Sequence, residues 1–130
     1  MKEKLLVSAR LIYGLMFFVF GLNGFFKFIP LPTPTPAGAA FMEALIATGF
    51  IYPMVKCVEI LVGISLLIGR YTTLALVVIT PILVVITSFH LFLDHSGLSN
   101  AIFLVFLHIF LTHGHWKYYK EVLTKKADLR

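Results

Sequence analysis

The sequence is poor in charge and in cysteine, and each shortage removes a class of function. Charged residues make up 13% of the 130 residues, about half the share usual in soluble domains, while the mean hydropathy is +0.95. A water-soluble domain is excluded, and the chain reads as an integral membrane protein. The one cysteine, Cys57, excludes an internal disulfide and a C-x-x-C redox pair, so thiol exchange cannot be run by this chain alone. Its apolar surroundings are those of a small, inert, buried thiol. Lysine and arginine are missing from Pro30–Tyr52 and from Asp94–Asn100. The formal net charge of +5 is therefore gathered at the chain's ends and in one turn. No nucleic-acid partner is expected, because a phosphate-tracking surface needs its cations along one face.

What is present is a succession of apolar runs. Four are long enough to span a bilayer, which takes about 20 residues: spans are expected at about 5–29, 52–69, 72–93 and 100–115. The first is read as a retained span, since it is longer than a signal-peptide core of roughly 7 to 15 residues. The prolines at 30, 32, 34 and 36 exclude helix and favour an extended connection. Phe41, Ala44, Leu45 and Thr48 recur at helical spacing, so a short interfacial helix is expected before Gly49. Pro53 stands where a first-turn proline is tolerated. Gly69-Arg70 leaves almost no loop, which makes the second and third spans antiparallel neighbours.

Pro81 is expected to bend the third span, with its freed carbonyl served by a hydroxyl such as Thr80 or Thr87, or by an adjacent helix. Ser99 or Asn100 is expected to cap the fourth. A basic tail, 116–130, follows Trp116, Tyr118 and Tyr119, which read as an aromatic belt. The fold class is thus all-α: a polytopic membrane four-helix bundle. With Lys2, Lys4, Arg10, Arg70 and the tail on one side, the positive-inside rule expects both termini in the cytoplasm and the protein in the cell (inner) membrane.

Charges inside spans cost at least ~2.5 to 3.5 kcal/mol each, so they mark a functional site or a structural ion pair. Span two contains Lys56 and Glu59 inside its apolar run. Asn23/Lys27, Lys56/Glu59 and His90/Asp94 are spaced i,i+3 or i,i+4, so each pair shares a helix face. Antiparallel threading puts all three in the outer half, and His108 near the midplane. The expectation is a polar pocket open toward the outer side. Its ligand-binding or proton-carrying candidates are Asn23, Lys27, Lys56, Glu59, His90, Asp94 and His108, with Lys27 or Lys56 as the counter-ion of Glu59. The alternative is an ion pair that merely fixes helix register.

No span carries a His-x-x-x-His pair, so bis-histidine haem is disfavoured and no metal is expected. The abundant phenylalanines are first packing and lipid-facing surface, although a flat quinone-like lipid fits between such rings. Gly14 and Gly21 fall on nearly the same face of span one, where a neighbouring helix can approach closely.

Four stretches stand out together: Arg10-Leu-Ile-Tyr-Gly14, Gly21-Leu-Asn-Gly24-Phe-Phe-Lys27-Phe28, Phe41 to Gly49 before a proline, and Val58-Glu59 through Gly63 to Gly69-Arg70. In these the chain resembles the DoxX-like family of small four-helix membrane proteins. The resemblance implies a four-helix bundle and, in some members, association with quinol oxidation, thiosulfate oxidation or an oxidoreductase assembly handling oxidative stress. On that basis the chain is at most a subunit of an oxidoreductase complex, with the bilayer, a protein partner and a second copy of itself as candidate partners. Arg10, Lys27, Glu59 and Gly63 match recurrent family positions, and His90 is similar to a histidine at the end of span three. The readings weighed against a redox subunit are a small-solute or proton carrier and a non-catalytic scaffold or assembly factor.

Overall fold

The computed structural model describes residues 1–128, and these are helical with no strand among them. Helix α1 runs Lys2–Phe26, α2 Pro36–Ala47, α3 Ile51–Ile68, α4 Thr72–Ser88, α5 Leu98–Gly114 and α6 Trp116–Val122. Helix α4 continues through a π-helical turn, Phe89–Leu93, and a 3-10 turn, His95–Gly97, leads into α5. Four helical segments are long and apolar enough to cross a membrane: Lys2–Phe26, Ile51–Ile68, Thr72–Leu93 and His95–Gly114. The basic tail continues as α6, and positions 129–130 lie outside the described residues.

Helices α1 and α3 form the tightest pair, and glycine is the reason. A Cβ on Gly63 would stand 2.6 Å from the Phe18 nitrogen and 2.8 Å from the Gly14 carbonyl oxygen. One on Gly14 would meet Leu66 Cβ at 2.8 Å, and one on Gly21 would meet Ile60 Cγ1 at 2.7 Å. The two backbones therefore touch along two turns, which is how helices gain packing energy where lipid removes the hydrophobic drive. The core beside them is filled by Tyr13, Leu66, Leu76, Ile79 and Leu111, all fully buried.

Each reversal of the chain has a local cause. Gly69 ends α3 in the left-handed region at φ 72°, where a residue without Cβ is unstrained. The Ser65 hydroxyl donates to the Arg70 carbonyl, and the Arg70 N–H donates back to Ser65 O at 3.1 Å. Thr35 caps α2, its hydroxyl accepting from Gly38 N at 3.1 Å, and Gly49 (φ 81°) follows the helix end.

Some local expectations are corrected. Helix α1 stops at Phe26 instead of near 29, because Lys27 itself turns left-handed (φ 51°). Pro81 lies within α4, and the hydroxyls of Thr80 and Thr87 donate to Leu76 O (2.6 Å) and Leu83 O (2.8 Å). Neither serves Val77, whose carbonyl a proline at 81 releases. Helix α5 follows Gly97 with no side-chain cap; Asp94 caps the preceding 3-10 turn in place of Ser99 or Asn100. Cys57 is exposed on the lipid-facing side of α3, not buried.

Candidate functional site

The start of α1, the α3–α4 turn and the end of α5 lie at one end of the bundle, here the terminal end. The prolines, α2 and residues 94–97 form the loop end. The candidate residues separate into three places, where the sequence pattern suggested one pocket.

At the loop end, Lys56 and Glu59 stand one turn apart on α3, with Nζ 3.0 Å from Oε2. Glu59 is only 3% exposed and lies against α1, where Gly21 approaches its Cβ. By distance this is an ion pair, although Oε2 lacks the alignment of a hydrogen bond. The Coulomb attraction depends on separation and persists without that alignment. Lys56 is the counter-ion; Lys27, at its left-handed turn, is exposed and lines the adjoining recess. The Lys56 stem lies across Gly24, whose added Cβ would meet Lys56 Cδ at 2.5 Å. Its ammonium sits 5.5 Å above the Tyr52 ring, a cation–π distance.

These groups border a recess of about 340 Å³ lined by Phe20, Asn23, Gly24, Lys27, Ile29, Pro30, Leu31, Tyr52 and Lys56. Two cations and two aromatic rings therefore face one small volume. Asn23 shapes its wall: the Ile29 N–H donates to Oδ1 at 2.7 Å, and Nδ2 donates to the Ile29 carbonyl at 3.2 Å. The Asn23 amide thus pairs with a backbone as another strand would, and folds the post-helix chain over the recess. Its i,i+4 partner in sequence, Lys27, donates its backbone N–H to Asn23 O at 2.9 Å.

His90 and Asp94 are elsewhere, in a clasp that ties the proline-rich segment to the end of α4. Asp94 Oδ1 accepts from the Ser96 hydroxyl (2.6 Å) and N–H (3.0 Å), and Oδ2 accepts from Thr35 N–H (3.3 Å). The Thr35 hydroxyl donates to Leu93 O at 2.5 Å. His90 Nδ1 pairs with the Asp94 backbone carbonyl at 3.1 Å, and its ring lies over Gly97. The hydrogen bonds from Ser96, chiefly its hydroxyl, hold the Asp94 carboxyl below its ordinary range.

His108 forms the third place, in the bundle's middle. Tyr13 on α1 reaches His108 Nδ1 at 2.8 Å, and Thr80 on α4 reaches Nε2 at 3.2 Å. The proton positions follow by elimination. Thr80 has already given its one hydrogen to Leu76 O, so toward His108 it accepts, and Nε2 carries the proton. Nδ1 then accepts from the Tyr13 hydroxyl. Neutral His108 thereby satisfies three helices at once. The sequence reading missed Tyr13 entirely, because nothing in a lone tyrosine signals a partner 95 residues away. A groove of about 290 Å³ beside it is lined by His108, Ile109, Thr112, His113, Trp116 and Tyr119.

Among the described residues no group of three His, Cys, Asp or Glu side chains could hold a metal ion. The loop-end recess brings a paired ammonium, a second lysine and two aromatic rings around one small volume.

The fold and this recess define a polytopic membrane four-helix protein with a charged site let into its loop end. The chain belongs to the DoxX family, whose model matches residues 5–96. The match includes the recess, the clasp, Tyr13 and Thr80, and it ends before α5 and His108. No curated protein and no solved structure matches the chain.

Proposed function

We propose that this protein is a membrane subunit of a redox assembly, and that its loop-end recess holds the headgroup of a quinone-like lipid. The observation that carries this reading is the meeting of Lys56, Lys27, Phe20 and Tyr52 around about 340 Å³. That volume lies within the usual range of small-molecule pockets, which pair apolar walls with a few placed polar groups. Carbonyl oxygens call for donors, and a flat ring calls for aromatic surface. The recess offers both, so the residues fit the group.

A bound quinone would supply the capacity to take up electrons and protons; the chain supplies the holding. Lys56 has three N–H donors. Glu59 beneath it fixes the ammonium's position and leaves donors turned toward the recess. Tyr52 and Phe20 give the ring its walls, and Ile29 to Leu31, pinned by Asn23, cover it from the loop side. Electrons must come from a partner protein. By the distribution of basic residues the recess faces the outer side of the cell membrane, with both termini cytoplasmic. The carrier alternative draws less support, because Tyr13, Phe17 and His108 fill the bundle's middle.

Titrating the purified protein with a benzoquinone bearing a decyl tail tests the reading. Removing a charged donor costs about 1.5–3 kcal/mol, so Lys56→Met is expected to weaken binding roughly 10- to 100-fold. Equal affinity in wild type and Lys56→Met, or no saturable binding by wild type, overturns it.

A further inference from the structure

Arg10 takes no part in the recess, and its surroundings ask for an anion. It lies on α1 at the level of the α3–α4 turn: a Cβ on Gly69 would stand 2.7 Å from its Nη1 and 3.0 Å from its Cζ. The guanidinium is therefore laid on the turn's backbone, in room that only glycine leaves. Gly69 has φ 72°, so the close approach and the turn rest on the same residue. Arg10 is partly buried, and its Nε is occluded with no hydrogen-bond partner among the described residues. Arg70, the next residue in the turn, is exposed, and its backbone is held on both sides by Ser65. The two arginines thus mark one level of the bundle, at the end where Gly114 on α5 meets Leu6 on α1. Glu3, the acidic residue of the first turn of α1, is two helical turns away, about 10 Å along the axis.

A guanidinium presents its donors as a planar fork that matches a phosphate oxyanion, and it stays charged at any physiological pH. At this depth the abundant phosphate is that of the lipid headgroups. Exposed apolar residues flank the position on α1, with Leu11 at 40% and Ile12 at 45%, and on the turn, with Tyr71 at 76%. A ligand whose phosphate meets Arg10 can therefore lay its chains along the same helix.

We propose that Arg10, seated on Gly69 and joined by Arg70, forms a site for the phosphate of an acidic phospholipid in the leaflet at the terminal end. The site is separate from the recess and does not depend on the quinone reading. Arg10 is the anchor, and Arg70 adds charge from a pinned turn. Zwitterionic headgroups carry the same phosphate with a compensating ammonium, so preference for net-negative lipid is expected.

The test is thermal unfolding of the detergent-purified full chain after adding phosphatidylglycerol, phosphatidylcholine or inorganic phosphate, with native mass spectrometry of retained lipid. Wild type is expected to gain several degrees from phosphatidylglycerol alone and to retain one such lipid. Arg10→Gln is expected to lose both, and Arg70→Gln to halve the gain. Arg10→Lys, which keeps the charge without the fork, is expected to retain at most about a tenth of the lipid and covers the case in which Arg10→Gln does not fold. A phosphatidylglycerol response unchanged in Arg10→Gln or in Arg10→Lys overturns the site. Equal responses to phosphatidylcholine overturn the acidic preference, and a full response to inorganic phosphate overturns the lipid as its source.

Discussion

At the residue scale, the decisive asymmetry is between the two members of the Lys56–Glu59 pair. Glu59 is buried at 3% exposure, while the Lys56 side chain keeps 19% and opens on the recess. Glu59→Gln leaves a lysine that can turn to the recess. Lys56→Met instead leaves a buried carboxylate with no counter-charge, a situation that typically costs 3–5 kcal/mol. Thermal unfolding in detergent is therefore expected to rank Lys56→Met well below Glu59→Gln, with the double substitution recovering most of the loss. Equal losses for the two single variants would contradict the asymmetry, and a double substitution that loses the sum of both would contradict the pairing.

Tyr13→Phe presents a similar case. It strips the donor from His108 Nδ1 and leaves a buried acceptor unserved, for about 1–3 kcal/mol. The predicted readout is a lowered unfolding midpoint with no change in quinone affinity. That network was not legible in the sequence, because three residues on three helices meet only after the bundle has set each helix's rotation. Lys56 and Glu59 were legible, since two charges one turn apart in an apolar run must share a face. Lys27 lines the recess as expected but is not the counter-ion of Glu59: a lysine at positive φ has no sequence signal, and the cue lay in Asn23, whose amide stops the helix by pairing with Ile29.

At the scale of elements, the α1–α3 pair depends on glycine where the α4 and α5 contacts rely on larger side chains. Gly63→Ala would drive a methyl group into the Phe18 and Gly14 backbone, which cannot yield as a side-chain tip can. The helices must part, and the wall of the recess on α1 parts with them. A loss of several kcal/mol, large for a single methyl group, together with loss of quinone binding is expected. A variant with normal stability would show that the close approach is dispensable. The seven-residue spacing of Gly14 and Gly21 made this contact legible, though the partner residues on α3 were not.

The clasp at the end of α4 adds a pH dependence. Asp94 is held below its ordinary range by Ser96 and Thr35. Its folded pKa is thus lower than its unfolded one, near 3.9. The stabilisation is fully present above about pH 4 and is lost as pH falls through the lower folded value. Hydrogen exchange at Thr35 and Gly38 is expected to be slow and constant from pH 5 to 8 after correction for intrinsic rates, and to accelerate on acidification below the ordinary carboxylate range. Asp94→Ala should exchange rapidly throughout. The i,i+4 spacing of His90 and Asp94 suggested a shared pocket face, but the π-helical turn at Phe89–Leu93 changes the register there. That turn folds His90 toward the Asp94 backbone and turns the carboxylate to the loop.

At the scale of the whole molecule, the number and order of the four apolar helices were legible, with bounds off by up to five residues, because length and apolarity are set by the bilayer and need no partner information. The meeting point of the polar residues was not, because spacing within a helix leaves open which neighbour its face meets. Asn23 folds the chain back at Ile29 while also lining the recess with Lys27, and Asp94 fastens the proline-rich segment away from it. The recess is bordered by two lysines, and only Lys56 of the Lys56–Glu59 pair lines it. Stability and ligand binding are therefore expected to separate only in part: Tyr13 bears on stability alone, the rings of Phe20 and Tyr52 on binding, and Gly63 and Lys56 on both.

Photolabelling in native membranes with an azido-substituted decyl benzoquinone, followed by peptide mapping, tests the central claim most directly. Label is expected on the peptides containing Phe20 to Leu31 and Tyr52 to Lys56, competed by unlabelled quinone and lost in Lys56→Met. Label spread evenly over the lipid-facing helices and indifferent to competitor would contradict the account.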